Sequence, residues 1–263
     1  MSVIVLTSAC GAPGVTTTTL GLAATWPRPA IAVEADPVGG SSMLAGYFKG
    51  FHAPTQSVAD LLLADRNGRL SEQLHMSLIP MESTSAFVLP GPRSHAQAHN
   101  ALELWEPLSM VWATLGAAPD EHGTDVFVDA GRLGMESYPE SLLRCADLIL
   151  LVTRSDLPSL AGTKQWADRA LQNRELYPSS PPWAVLLIGV GHPYSAHEVG
   201  EVLGLPLAHE IRLDPRGAAV YSAGKHTRPK GHFHTDLISC GAALRKMIED
   251  ATHALEREGA AHV

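Results

Sequence analysis

The sequence predicts an α/β fold with a doubly wound, mostly parallel sheet flanked by helices. Two observations predict it: six short apolar runs recur along the 263 residues, and helical patterns separate them. Continuous apolar runs are typical of strands that are buried on both faces, and strands that alternate with helices are typical of parallel sheets. Neither an internal repeat nor a low-complexity linker interrupts the pattern. We therefore expect a single domain over residues 1–263.

The elements follow in order along the chain. The predicted strands are VIVLT (3–7), AIAVEA (30–35), AFVLPG (86–91), DVFVDA (125–130), ADLILLVT (146–153) and WAVLLIGVG (183–191). The predicted helices cover 16–25, 56–65, 95–116, 137–145, 158–175, 195–203 and 236–257. In the third helix, apolar residues recur at spacings of three and four, which gives one apolar face. Pro107 lies within that helix, and we expect it to kink or divide the helix.

Composition limits the class of protein. Hydrophobic residues make up 45% of the chain, and the formal net charge is -8. An acidic molecule is a poor non-specific binder of nucleic acid, although a local basic patch is compatible with this charge. The three cysteines (Cys10, Cys145 and Cys240) show no disulfide or zinc spacing. The N-terminus does not have the pattern of a signal peptide, and the longest apolar runs are too short to cross a bilayer. We expect a cytoplasmic protein.

A glycine-containing loop follows the first predicted strand. Residues 8–20 read SACGAPGVTTTTL. Glycines in a strand-to-helix turn let backbone amides point at an anion, and the dipole of the following helix favours negative charge there. Thr16 could offer a hydroxyl to Mg²⁺. The predicted binding residues in this loop are Gly11, Ala12, Pro13, Gly14, Val15, Thr16 and Thr17. The alternative is an ordinary turn in which threonines cap a helix.

Two aspartates follow later strands. Asp36 ends the second strand in VEADPVGGSSM, and Asp129 ends the fourth in DVFVDAGRLG. A carboxylate at the end of such a strand can hold Mg²⁺ or orient water, and Gly131 could place an amide near a terminal phosphate. Each aspartate could instead cap a turn. Because the carboxyl ends of parallel strands share one edge of a sheet, we expect both to face the loop.

In the order and spacing of these motifs the chain resembles the ParA/MinD family of deviant Walker A P-loop ATPases. The family loop KGGxGKT corresponds to CGAPGVT (10–16), and its DxDP element corresponds to Glu34–Pro37. The strand VFVDAGRLG, the segment ADLILLVTRSDLPSLAGT and the late segment EVLGLPLAHEIRLDPRGAAVYSAGK also match family patterns. The resemblance covers nearly the whole chain. The middle segment is similar to the divergent CpaE/TadZ-type members.

The resemblance implies ATP and Mg²⁺ as cofactors, or neither if the site is lost. It implies Thr16 and Asp129 as magnesium ligands, Asp36 as the residue that orients water or magnesium, and a homodimer that binds protein partners. The family has lysines at the places of Cys10 and Val15, and both cations are missing. Without them we expect a degenerate site with weak ATP binding and little hydrolysis. The cations that could replace them from elsewhere in the chain are Arg132, Arg154 and Lys225.

Three functions follow from this interpretation. The first is a positioning or scaffold protein that acts through protein contacts. The second is an ATP-dependent dimerisation switch with slow hydrolysis, in partitioning or in pilus or secretion-system localisation. The third is a DNA-binding partition protein that uses the loop at 224–234 with Arg245 and Lys246; the net charge disfavours it. The histidines of that loop favour an exposed basic surface over a metal site. The C-terminal segment predicts a packing helix and no membrane-targeting helix.

Overall fold

The sheet has eight strands. A computed structural model describes residues 1–51, 57–115, 123–225 and 231–260. The strands are β1 (Val3–Ser8), β2 (Ala30–Glu34), β3 (Ile79–Pro80), β4 (Ala86–Leu89), β5 (Asp125–Arg132), β6 (Leu148–Arg154), β7 (Trp183–Ile188) and β8 (Leu207–Ile211). Their order is β3-β4-β2-β5-β1-β6-β7-β8. All neighbours pair in parallel except β3 with β4. The predicted doubly wound, mostly parallel sheet is confirmed.

Helices cover both faces of this sheet. They are α1 (Val15–Thr25), α2 (Ser42–Ala45), α3 (Val58–Arg66), α4 (Leu70–Ser77), α5 (His95–Ala101), α6 (Trp105–Leu115), α7 (Glu140–Arg144), α8 (Leu157–Leu176), α9 (Ala196–Leu203), α10 (Pro215–Ser222) and α11 (His232–Ala260). None of the helices in the described part of the chain is long and apolar enough to cross a membrane.

The core is divided into two layers by the sheet. Along β1, Val3 and Val5 pack into one cluster, with α3 to α9, whereas Ile4 and Leu6 pack into the other, with α1, α10 and α11. Successive side chains of a strand point to opposite faces, so a strand that is apolar at every position feeds both layers. This explains why the six predicted strands read as continuous apolar runs.

The carboxyl ends of the central strands meet where the strand order reverses around β1. β1 lies between β5 and β6. The register pairs Leu6 with Asp129 and Glu34 with Asp129, so the ends of β1, β2 and β5 lie at one level. In open α/β sheets, ligands bind at this edge near such a reversal.

Some elements differ from the prediction. The helix expected over 95–116 is two helices, and the break lies at residues 102–104. Pro107 occupies the first turn of α6, where its missing N–H breaks no helical bond. The structure adds strands β3 and β8 and the short helices α2, α4 and α10. His232 and His234, expected in a loop, lie in the first turn of α11, while residues 226–230 of that segment, including His226, lie outside the described residues.

Candidate functional site

Six residues, 9–14, connect β1 to α1. Gly11 and Gly14 have φ angles of 63° and 111°, in the region that glycine adopts without steric cost. Gly14 is the N-cap residue of α1, and no side chain caps this helix end. Within the part of the chain that the structure describes, the amides of Gly11, Ala12 and Gly14 donate no hydrogen bond. The loop therefore presents free N–H groups at the positive end of a helix dipole, as an anion site requires.

Val15 stands where the resemblance implies the lysine that contacts phosphate. Its side chain is 7% exposed and packs in the apolar cluster with Ile4, Leu20 and other residues on the α1 face of the sheet. The side chain is part of the hydrophobic core.

Cys10 stands at the place of the second family lysine. Its Sγ atom lies 3.5 Å from the carbonyl oxygen of Ser159, in the first turn of α8 of the same chain. A Cβ atom added to Gly162 would lie 3.0 Å from this Sγ atom, so the glycine leaves the space that the thiol fills. Cys10 thus packs against α8 of its own chain and carries no charge that could reach across to a second copy.

Asp129 is the central carboxylate of the site. It is fully buried in the carboxyl half of β5. The Thr16 hydroxyl donates to its Oδ2 atom at 2.5 Å, and the Gly131 amide donates to its Oδ1 atom at 3.0 Å. Burial raises the pKa of Asp129 to about 7; the Thr16 bond opposes the rise, and the charges of Asp36 and Glu34 add to it. Among the described residues, no lysine, arginine or histidine forms an ion pair with Asp129.

Asp36 lies against the turn that follows Asp129. A Cβ atom at Gly131 would lie 2.5 Å from the Asp36 carboxyl carbon, and Gly131 has a φ of 67°. Only glycine combines this backbone angle with so close an approach. The Asp36 carboxylate accepts a hydrogen bond from the Val38 amide at 2.9 Å, as in a turn. The structure therefore brings Asp36 and Asp129 to the same glycine, Gly131.

Glu34 occupies the first acidic position of the DxDP-like element. It is buried and accepts hydrogen bonds from the Ser41 hydroxyl at 2.5 Å and from the amides of Met43 and Gly91, each at 3.1 Å. Burial raises its pKa. These bonds join the end of β2 to the start of α2 and to the segment after β4. The observed contacts of Glu34 hold the neighbouring loops in place.

Three cations were named as possible replacements for the missing charge: Arg132, Arg154 and Lys225. The Arg132 guanidinium lies 3.0 Å from the Met135 sulfur and is exposed. Arg154 is exposed at the end of β6. Lys225 is exposed after α10, and its backbone amide donates to the Ala219 carbonyl. Within the described residues, none of these side chains forms a hydrogen bond or ion pair with the loop at 9–14.

The protein oxygens at this site could hold a magnesium ion only if a bound phosphate supplied further ligands. In the described part of the chain, no group of three or more His, Cys, Asp or Glu side chains is arranged to hold a metal. Thr16 and Asp129 supply two oxygen ligands, and the surplus of negative charge around Asp129 would favour a divalent cation. Mg²⁺ is normally held by one or two protein oxygens, with substrate phosphates and water completing its shell.

A chain of hydrogen bonds that was not predicted from the sequence lies beneath the site. The Tyr138 hydroxyl donates to the Thr7 hydroxyl at 2.9 Å, and the Thr7 hydroxyl donates to the Gly131 carbonyl at 3.1 Å. Burial raises the pKa of Tyr138. Tyr138 thereby fixes the turn that contains Gly131 from below. Thr7 was visible as a polar residue in an apolar strand, but no pattern linked it to a tyrosine 131 residues later.

Comparison with solved structures defines the class of fold. The cell division ATPase MinD of Pyrococcus furiosus superposes with a TM-score of 0.69 at 19% identity, over 94% of this chain and 99% of that chain. The septum site-determining protein MinD of Pyrococcus horikoshii OT3, complexed with Mg-ADP, superposes with a TM-score of 0.68 at 17% identity, over 95% of this chain and 98% of that chain. A ParA family ATPase of Chlorobium tepidum TLS superposes with a TM-score of 0.72 at 17% identity, over 92% of this chain and 97% of that chain. This chain therefore has the P-loop fold of the MinD and ParA ATPases.

The likeness is one of fold. No protein family model matches the sequence. No curated protein matches it either.

Proposed function

We propose that the protein is a positioning or scaffold factor of the ParA/MinD type, with weak or absent ATP binding and little hydrolysis. The observation that carries the proposal is the loss of positive charge at the loop, because Val15 packs in the core and Cys10 packs on α8. Cations at a phosphate loop bind phosphate and stabilise the charge that develops during transfer. Charge-assisted bonds contribute roughly 1.5–3 kcal/mol each, so two losses weaken ATP binding by about two orders of magnitude or more.

The carboxyl edge of the sheet is the proposed contact surface. Val38, Leu157 and Leu213 follow β2, β6 and β8 and are 52%, 62% and 57% exposed. Apolar side chains that recur at one edge favour protein contact. We propose a homodimer and further protein partners at this edge. The solved neighbours include a cell division ATPase and a septum site-determining protein, which supports a role in positioning. The CpaE/TadZ-like middle segment favours localisation of pilus or secretion machinery.

A bound nucleotide would use the parts of the site that remain. The backbone of residues 11–17 and Gly131 would hold the phosphates, Thr16 and Asp129 would hold Mg²⁺, and Asp36 would orient water. The magnesium ion would supply the charge that neutralises phosphate oxygens. The MinD of Pyrococcus horikoshii, which has this fold, is complexed with Mg-ADP.

The first test measures binding and turnover. Isothermal titration of the full chain with Mg-ATP should give weak or no binding. Turnover should lie far below that of the ParA family ATPase from Chlorobium tepidum under the same conditions. Turnover that matches this control would contradict the proposal.

The second test restores charge. Val15→Lys should raise ATP affinity about tenfold or more, since one charge-assisted contact returns. Gln165→Lys is the matched control, because it adds the same charge at an exposed position of α8 that lies outside the loop. An equal gain in both variants would show that non-specific attraction, and not the family position, limits binding.

An ATP-dependent dimerisation switch is the second candidate. The bond between Thr16 and Asp129, which preserves the two implied magnesium ligands side by side, favours it. Light scattering should then show a dimer only with Mg-ATP, and Asp129→Ala should abolish it. The scaffold proposal expects the same oligomeric state with and without Mg-ATP.

A further inference from the structure

A groove lies between α7 and α8 on the sheet face opposite α1. It has a volume of about 550 Å³, and its walls come from the segment after β5, from α7, from α8 and from the start of β7. This volume is in the range of sites that bind small organic molecules. The lining residues include none of the loop residues 9–17 and neither Asp36 nor Asp129. The α7–α8 groove is therefore distinct from the candidate nucleotide site.

Aromatic side chains form part of its walls. Trp166 on α8 and Trp183 at the start of β7 line the groove and are both half-buried. A Cβ atom at Gly134 would lie 3.3 Å from a ring carbon of Trp166, so the backbone at Gly134 packs closely against the ring edge. Two partly exposed indole rings in one groove offer stacking surface to a planar ring.

The groove also contains cations without ion-pair partners. The Arg169 guanidinium lies 5.4 Å from the centre of the Trp166 ring. Arg144 lines the groove from α7. Neither side chain forms an ion pair within the described residues. Glu140 is the one acidic side chain among the lining residues, so two cations face one anion. Arginine binds carboxylates in a planar, two-bond geometry and also stacks on aromatic rings.

We propose that the α7–α8 groove binds a small aromatic acid. The planar ring packs against Trp166 and Trp183, and the carboxylate pairs with Arg169 and Arg144. The aromatic walls select a planar body, the surplus positive charge selects an anion, and the volume limits its size. Aliphatic side chains such as Leu143 and Leu176 complete the apolar lining.

The binding test uses two probe acids, 1-naphthoate and indole-3-acetate, each compared with its neutral primary amide. Isothermal titration into the full chain should show saturable binding of at least one acid. The amide should bind about tenfold or more weakly, because it cannot form the charge-assisted contact. Added salt should weaken binding of the acid and leave binding of the amide unchanged, because salt screens an ion pair between the carboxylate and the arginines near the surface. An absence of saturable binding by both acids, or equal binding of acid and amide, would overturn the proposal.

Matched variants locate the site. Arg169→Gln should weaken the acid about tenfold or more, whereas Arg174→Gln, an exposed arginine on the same helix outside the groove, should change nothing. Asn173→Tyr should block the groove, and Glu175→Tyr, also exposed on α8 but outside the groove, should not. All four positions are exposed, so the variants should fold, which circular dichroism checks. Equal losses in a variant and its control would overturn the assignment.

Discussion

Strand β5 carries two buried aspartates with opposite surroundings, one at its first residue and one in its carboxyl half. Asp125 and Asp129 are both fully buried and lie four residues apart. Asp125 accepts hydrogen bonds from the Ser2 amide at 2.7 Å, from the Trp26 indole at 2.5 Å and from the Arg28 guanidinium at 2.6 Å. Within the described residues, Asp129 accepts hydrogen bonds from the neutral groups of Thr16 and Gly131 alone, and the charged groups that act on it are the carboxylates of Asp36 and Glu34.

This difference in hydrogen-bond partners indicates that Asp125 stabilises the fold, whereas Asp129 is available to bind a cation. The carboxylate of Asp125 is neutralised by Arg28 and accepts two further hydrogen bonds, so Asp125 joins the chain segments at the amino end of the sheet. The carboxylate of Asp129 has no cationic partner among the described residues. A buried carboxylate in that state favours protonation or the binding of a cation. Asp125 has a cationic partner and Asp129 has none among the described residues, which favours the proposal that a ligand binds at the carboxyl edge of the sheet.

The largest expected effect contrasts these two aspartates directly. Asp125→Asn should lower the free energy of unfolding by about 2–4 kcal/mol. The change breaks the ion pair with Arg28 and places an NH₂ group, itself a donor, among groups that donate hydrogen bonds to Asp125. The lower part of the buried-pair range applies because Arg28 is 37% exposed. Asp129→Asn should leave stability unchanged or raise it at pH 8, since it removes a buried charge. Urea unfolding of both variants measures the difference, and the reverse order would contradict it.

A pH series sharpens the same contrast. The pKa of Asp129 is raised from 3.8 to about 7, so the folded state binds a proton that the unfolded state releases between these values. The stability from this group is therefore complete below about pH 4 and is lost as the pH rises to about 7, with a slope of at most about 1.4 kcal/mol per pH unit.

The control for this series is Asp129→Asn. At each pH, the difference between the free energies of unfolding of the wild type and the variant isolates the effect of Asp129. That effect includes its electrostatic repulsion from Asp36 and Glu34. The wild type should lose stability relative to the variant between pH 4 and pH 7. A difference that does not vary with pH would contradict the raised pKa. Binding of Mg²⁺ should change in the opposite sense and strengthen toward pH 8, because the ion needs the deprotonated carboxylate.

The smallest effect concerns the support beneath the site. Tyr138→Phe removes the hydroxyl that donates to Thr7, while Thr7 keeps its bond to Gly131. The loss should lower the free energy of unfolding by about 1 kcal/mol, as for one buried hydrogen bond. Tyr177→Phe is the matched control, because Tyr177 is exposed, and it should change stability by less than about 0.5 kcal/mol. Thermal unfolding measures both, and equal shifts would contradict the role of Tyr138.

The sequence predicted the central sheet, at whose carboxyl edge the structure places Thr16 against Asp129 and Asp36 against Gly131. All six predicted strands occur, since each contains a nearly continuous run of apolar residues. Strand β8 was not predicted, since LAHEI mixes polar and apolar residues at the edge of the sheet, where pairing rather than composition defines the strand. Antiparallel β3 is only two residues long and had no signal.

Side-chain partners were beyond prediction because they come from distant segments. Glu34 was expected to stand for a family aspartate, but its bonds to Ser41, Met43 and Gly91 depend on how three loops meet. The docking of Cys10 on Gly162 and the α7–α8 groove arise in the same way, from elements far apart in the chain. Local pattern predicts which residues reach the edge of the sheet, and tertiary packing decides what each of them touches there.

The burial of Val15 has a consequence for motion. The first turn of α1 is closed by the bond from the Thr18 amide to the Gly14 carbonyl at 2.9 Å, and Val15 beneath it belongs to the core. A lysine reaching out of the core would leave this turn free to open by itself. With Val15 in the core, we expect the turn to open only when the surrounding core opens. Deuterium uptake at the Thr18 amide should therefore follow global unfolding, and uptake that is much faster than global unfolding would contradict this expectation.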